Sequence, residues 1–164
     1  NIHKNNLKRV IRALEFYKNT GEKISTHNEE QSQNISPYNF VYFVLNDKRE
    51  LLYERINKRV DIMFDKGLVN EVKNLLNMGY TKDLVSMNGI GYKEVVDYIN
   101  GKYSLDETKE IIKRETRHFA KRQLTWFRRE KDVTMVNYFD YDSIDDTLKY
   151  MINTLREKDI IKND

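Results

Sequence analysis

FVYFVL, residues Phe40 to Leu45, is an uninterrupted apolar run rich in aromatic and β-branched side chains. A strand with one wet face alternates polar and apolar residues, whereas a continuous run fits a strand covered on both faces. Such a strand needs helices around it, and the chain supplies them at once. Asp47 is placed to cap KRELLYERINKRVDIMFDKG, Gly67 breaks that helix, and LVNEVKNLLNMG forms another that ends at Gly79. MNGIGYKEVVDYINGK then gives a glycine turn and a short helix. Ser104 with Glu107 makes a capping box that opens a long helix reaching about Arg129. VTMVNYF is a second candidate strand, and SIDDTLKYMINTLRE is a last amphipathic helix capped by Ser143. Strands alternating with helices predict an α/β fold, mostly helical, with two candidate strands. Two strands are too few for a complete sheet, so the others are expected upstream.

Before the strand, Leu7, Val10, Ile11, Leu14 and Tyr17 recur at helical spacing, Gly21 stops the run, and Lys8, Arg9 and Arg12 form a basic edge. Ile24 to Ser36, ISTHNEEQSQNIS, is polar, lacks periodicity and ends at Pro37, the only proline; it reads as a flexible connection. The expected division is 1–23, a helical segment; 24–37, the connection; and 38–164, the main body. The sequence opens at Asn1, without methionine and already in helical rhythm, so the natural start is expected to be missing.

Of the 164 residues 39% are hydrophobic, 34% charged and 12% aromatic, too apolar for a disordered chain and too polar for a bilayer-spanning one. The net charge of +3 says little, but its distribution is uneven: seven basic residues stand against one acid from Lys113 to Arg129, and eight acids against four bases from Asp132 onward. With no cysteine there is no disulfide and no thiol chemistry. No targeting segment is visible, and the cytoplasm is the expected compartment. His3, His27 and His118 are scattered without metal-ligand spacing, so no metal site is predicted.

TRHFAKRQLTWFRRE, Thr116 to Glu130, lies inside the basic stretch. At 100° per residue Ile112, Thr116, Phe119, Gln123, Trp126 and Phe127 share one face, and Arg114, Arg117, Lys121 and Arg128 share the opposite one. That basic stripe is long enough to follow a phosphate backbone, although a solvated charged face is the commoner outcome for a surface helix. Thr116 and Gln123 on the apolar face need polar partners, and Gln123 offers both a donor and an acceptor to a base edge. Trp126 on that face reads first as a core anchor. The aromatic pair followed by basic residues also invites comparison with a homeodomain recognition helix, but the asparagine and spacing of that motif are absent. In NGIGYK, Asn88 to Lys93, two glycines precede a helix; the turn can cradle a phosphate, and is more often simply tight. Arg55 and Arg59, four apart, can meet a diphosphate with their guanidinium forks, or pair with acids.

Taken together, RVIRALEFYKNTGEKIS, ERINKRVDIMFDKGLVNEVKNLL, NGIGYKE and TRHFAKRQLTWFRR resemble, in order and separation, the C-terminal half of tRNA dimethylallyltransferases. The resemblance spans about Lys4 to Arg129, and AKRQLTWFR is its most specific block. It implies the C-terminal part of a P-loop-kinase-like core, with residues 1–23 ending a helical insertion. It implies a prenyltransferase that moves a dimethylallyl group from dimethylallyl diphosphate to N6 of an adenosine next to the anticodon of tRNA. The P-loop, its Mg²⁺-associated hydroxyl residue and the general-base aspartate belong to the family's N-terminal half and have no match here, so this chain is expected to be inactive alone. Arg59 matches the arginine that contacts the diphosphate. The tRNA contacts map onto Lys8, Arg9 and Arg12; onto Asn88, Gly89, Ile90, Gly91, Tyr92 and Lys93; and onto Arg117, Lys121, Arg122, Gln123, Leu124, Thr125, Trp126, Phe127 and Arg128. At the position of Asn88 the family often carries a basic residue. The resemblance also implies tRNA and dimethylallyl diphosphate as partners, no membrane, and a monomeric complete enzyme. A non-catalytic RNA-binding α/β module is the alternative.

Overall fold

The computed structural model describes residues 5–33 and 36–162 and falls into two units, Asn1–Phe40 and Val41–Asp164. In the first, the Asn6 side chain accepts the Arg9 N–H at 3.4 Å and starts helix α1, Leu7–Thr20. Gly21, at φ 77°, ends it by donating its N–H to the Tyr17 carbonyl at 2.8 Å, a left-handed stop that glycine adopts without strain. Of the apolar positions read from the sequence, Leu7, Ile11, Leu14 and Tyr17 are more than half exposed and Val10 is half-buried.

The expected flexible connection is instead a second helix, α2, Ile24–Gln33. Only a short stripe of it touches α1: Ile24 and His27, one turn apart, are half-buried, and the His27 ring lies 5.0 Å from that of Phe16. A helix this polar carries no long apolar rhythm to read, yet its glutamates and glutamines favour the helical backbone. Asn34 and Ile35, within the same predicted connection, lie outside the described residues, as do His3 and Lys4.

The second unit opens with strand β1, Tyr42–Asn46, which pairs in parallel with β2, Val133–Asn137; Val44 faces Met135 in the register. At their shared end the Asn46 amide donates to Asn137 Oδ1 at 2.9 Å. Coverage is incomplete: Val44 and Val136, which the register puts on opposite faces, are buried, but Leu45 is 50% exposed and Tyr42 39%. Among the described residues the sheet has two strands.

The crossover between the strands holds α3 (Arg49–Asp65), α4 (Leu68–Asn77), α5 (Tyr92–Ile99) and α6 (Leu105–Phe127). Val60 of α3, Leu68 and Val72 of α4, Met87 in the short turn before α5, Val95 and Val96 of α5 and Ile112 of α6 form one buried cluster. Asp47 does not cap α3: it lies one residue before the N-cap Lys48, accepts the Lys48 N–H at 2.7 Å and ion-pairs with Arg55 along the helix. Gly67, at φ 94°, makes the break between α3 and α4. The capping box of α6 forms as read, with Ser104 Oγ accepting the Glu107 N–H at 3.3 Å and Glu107 accepting the Ser104 N–H at 2.8 Å. The helix stops at Phe127, two residues short of expectation. Ser143 caps α7, Ile144–Glu157. Among the described residues no helix is long and apolar enough to cross a membrane.

Candidate nucleic-acid interface

The buried edge of α6 is a row spaced by four: Thr108 and Ile112 are 0% and 2% exposed, and Thr116, Ala120 and Leu124 continue it half-buried. Rows of this spacing incline across a helix and form the ridges that pack into a neighbour's grooves. The straight face read from the sequence departs from that row near its end. Phe119 is therefore 45% exposed and Trp126 53%, and Gln123 is exposed too; none of the three anchors the helix in the core. Trp126 rests edge-on against half-buried Phe127, ring centroids 5.0 Å apart, and Phe127 meets Tyr42 at 5.9 Å. Thr116 and Thr125 donate to the carbonyls one turn back, at 2.7 and 2.9 Å, so both hydroxyls are satisfied within the helix. The Gln123 amide has no partner among the described residues.

The basic stripe also divides. Arg114 pairs with Glu115 at 3.1 Å, and Arg117 is half-buried with its guanidinium donating to Asn57 of α3 at 2.6 Å, so both are engaged within the protein. Arg122 lies 5.8 Å from the centroid of the Phe119 ring. The side chains of Lys121 and Arg128 are exposed and, among the described residues, without an ionic or hydrogen-bonding partner.

The NGIGYK turn is closed from inside. Gly91 adopts φ 103°, and its N–H donates at 2.7 Å to Glu94, a carboxylate only 4% exposed that also lies 3.4 Å from Lys93. A glutamate three residues after the turn is the sequence signal for this lock, and it was not among the sites read there. With that N–H taken, the corner is braced from inside and Gly91 does not offer its N–H outward. Asn88 spends its amide hydrogens on the carbonyls of Lys82 and Leu84, at 3.2 and 3.1 Å. Tyr92 donates its hydroxyl to Glu71, and that hydrogen bond, then burial, raises its phenol above the ordinary range. Ile90 projects differently: with Ile56, Arg59, Met63, Ile112 and Phe119 it lines an open apolar groove between α3 and α6.

Arg59 and Arg55, indistinguishable in the sequence, have separate fates. Arg55 is committed to Asp47, whereas Arg59 is exposed at the rim of that groove and has no partner among the described residues. Lys8, Arg9 and Arg12 are exposed on α1, in the first unit. Among the described residues no group of three or more His, Asp or Glu side chains is arranged to hold a metal ion.

The fold and this surface define a class: a mostly helical α/β protein with a parallel strand pair, presenting unpaired cations, an open amide and an exposed indole along one helix. Comparison with known proteins narrows it. A family model described as IPP transferase matches residues 1–130. The tRNA dimethylallyltransferase of Lachnoclostridium phytofermentans is 58% identical over 161 residues, covering 98% of this chain and 51% of that protein; the tRNA dimethylallyltransferase of Acetivibrio thermocellus is 51% identical over 156 residues, covering 93% and 50%. The crystal structure of the full-length tRNA isopentenylpyrophosphate transferase of Bacillus halodurans superimposes with a TM-score of 0.70 at 42% identity, over 96% of this chain and 48% of that one. That of Staphylococcus epidermidis gives 0.70 at 39% identity. This chain belongs to the IPP transferase family. It matches the C-terminal portion and spans about half the length of the curated relatives, with the P-loop-kinase-like lineage that their structures define.

Proposed function

We propose that this chain forms the diphosphate-facing and tRNA-binding half of a tRNA dimethylallyltransferase. In the reaction the N6 nitrogen of an adenosine next to the anticodon attacks C1 of dimethylallyl diphosphate. The C1–O bond breaks, diphosphate leaves with the bonding electrons, and a base takes the N6 proton. Negative charge grows on the leaving oxygens as the bond lengthens, so a fixed guanidinium stabilises the transition state more than the bound substrate. Arg59 supplies that group, and the groove beside it, walled by Ile56, Met63, Ile90 and Phe119, suits an apolar five-carbon tail. The free guanidinium of Arg59 at the mouth of an apolar groove is the observation that carries this reading.

The RNA is held by Lys121, Arg122 and Arg128 on its phosphates, with Gln123 and Trp126 available to base edges and faces exposed when a loop base is extracted. Lys8, Arg9 and Arg12, within residues 1–23 that end the helical insertion, make further tRNA contacts, and in the second unit Ile90 with Lys93 adds to those of α6. The general base, the P-loop and Mg²⁺ belong to the other half of the family's fold. Among the described residues no group of three or more His, Asp or Glu is arranged to hold a metal ion, and no step here runs through one. The complete enzyme acts as a monomer in the cytoplasm.

The test grafts these 164 residues in place of the matching half of the Lachnoclostridium relative. The chimera is expected to prenylate tRNA; Arg59→Ala should lower kcat by about 100-fold or more, on the scale of losing one oxyanion-stabilising donor, with tRNA affinity retained. Unchanged turnover in that variant removes Arg59 from the site.

A further inference from the structure

Between the first turn of α3 and the last turns of α6 is a small cleft in which Arg49 and Tyr53 face Lys121 and Arg128 over a floor of Leu52 and Leu124. No acidic side chain lines it. Elsewhere in this unit the cations Lys82, Lys102, Lys113 and Lys149 are paired with carboxylates. Here three cationic side chains from two helices stand together, and among the described residues none has an ion-pair or hydrogen-bond partner; neither does the Tyr53 hydroxyl. Their mutual repulsion is relieved by an anion in the cleft. The start of α3 adds to the field, because Lys48 at its N-cap makes no side-chain cap, although Glu50 lies in the same turn outside the cleft and Asp47, just before the cap, is paired with Arg55.

We propose that Arg49, Lys121 and Arg128 form a socket for a phosphate group, the backbone phosphate of the RNA strand lying along α6. A guanidinium fork meets two non-bridging oxygens at once, an ammonium adds a point charge, and the Tyr53 hydroxyl can donate a further hydrogen bond. The socket opens on the face of α6 that carries Lys121, Leu124, Thr125 and Arg128. It rests on the RNA-binding reading above and adds to it the start of α3, which contributes no residue to that reading.

The test measures binding of a synthetic anticodon stem-loop RNA to the 164-residue chain across a salt series. Arg49→Ala should weaken binding about five- to ten-fold at low salt and flatten the salt slope by about one, as loss of one phosphate contact does. Combined with Arg128→Ala, the loss should be smaller than the product of the two single losses, because both act on one phosphate. Wild-type affinity and slope in Arg49→Ala, with binding by the parent chain intact, overturn the socket and leave the RNA-binding reading standing. A parallel arm titrates inorganic diphosphate and follows the Tyr53 ring by NMR. If the parent chain binds no RNA, the RNA-binding reading fails. The diphosphate arm then decides the socket: a saturable shift lost in Arg49→Ala keeps it as a site for free diphosphate, and no shift overturns it.

Discussion

The two halves of α6 use the same residue types for opposite ends. In the half before Ala120, Lys113 is held between Asp61 and Glu110, Arg114 pairs with Glu115, and Arg117 reaches Asn57, while Ile112 is 2% exposed in the core. The half after Ala120 keeps Lys121 and Arg128 unpaired among the described residues and turns Trp126 outward at 53% exposure. A run of basic residues is thus not one surface. The first half spends its charge on binding helix to helix, and the second leaves it for something outside the protein. The comparison breaks if substitutions in the two halves have the same effect on stability and on RNA binding.

The largest effect is expected in the buried half. Ile112→Ala empties space in a cluster that joins α3, α4, α5 and α6. It should lower stability by about 2–5 kcal/mol, read as a fall in the urea midpoint at unchanged m-value. A loss below about 1 kcal/mol would mean that the cluster relaxes around the gap and that α6 is not anchored there.

What could be read from the sequence follows how local each cause is. The Ser104–Glu107 capping box and the Gly21 and Gly67 stops depend on a few consecutive residues, and all three formed. The strands were legible because apolar runs without alternation have few other uses. Their coverage was not, since it depends on what else packs on the sheet. α2 escaped because, among its described side chains, only Ile24 and His27 mark its inner side. The buried row of α6 was misplaced because a wheel assumes a straight face, while α3 selects the inclined row through Ile112, Thr116 and Ala120. Glu94 had a signal, its place three residues after the turn, whereas Arg49 could not be distinguished from an ordinary surface residue: what sets it apart is that no acid turns toward it.

A middle-sized effect sharpens the division inside the basic stretch. Arg117→Ala removes a half-buried, charged hydrogen bond and leaves the Asn57 carbonyl without its donor. It should cost about 1–3 kcal/mol of stability and leave the salt slope of RNA binding unchanged, whereas Lys121→Ala should flatten the slope by about one and leave stability within about 0.5 kcal/mol. A flattened slope for Arg117→Ala would move it to the RNA-facing side.

The smallest effect concerns charge fully absorbed by the protein, far along the chain from the open half of α6. Asp97 of α5 accepts from Lys82 at 2.8 Å and from Lys102 at 3.0 Å, and these hydrogen bonds, Lys82 first, hold its carboxyl below the ordinary carboxylate range against the opposing effect of burial. The unfolded chain titrates near about 3.9, so the folded state binds the proton less readily. Its contribution is complete above that value and disappears as pH falls through the lowered folded value. Both lysines are more than half exposed, so solvent screening keeps the contribution below about 1 kcal/mol. Asp97→Asn should therefore be less stable than the parent by that small amount at neutral pH, with the two unfolding midpoints converging under acid. A difference that survives at low pH would come from packing or from the altered hydrogen bonds, and the pairing of Lys82 and Lys102 would then be no measure of charge put to structural use.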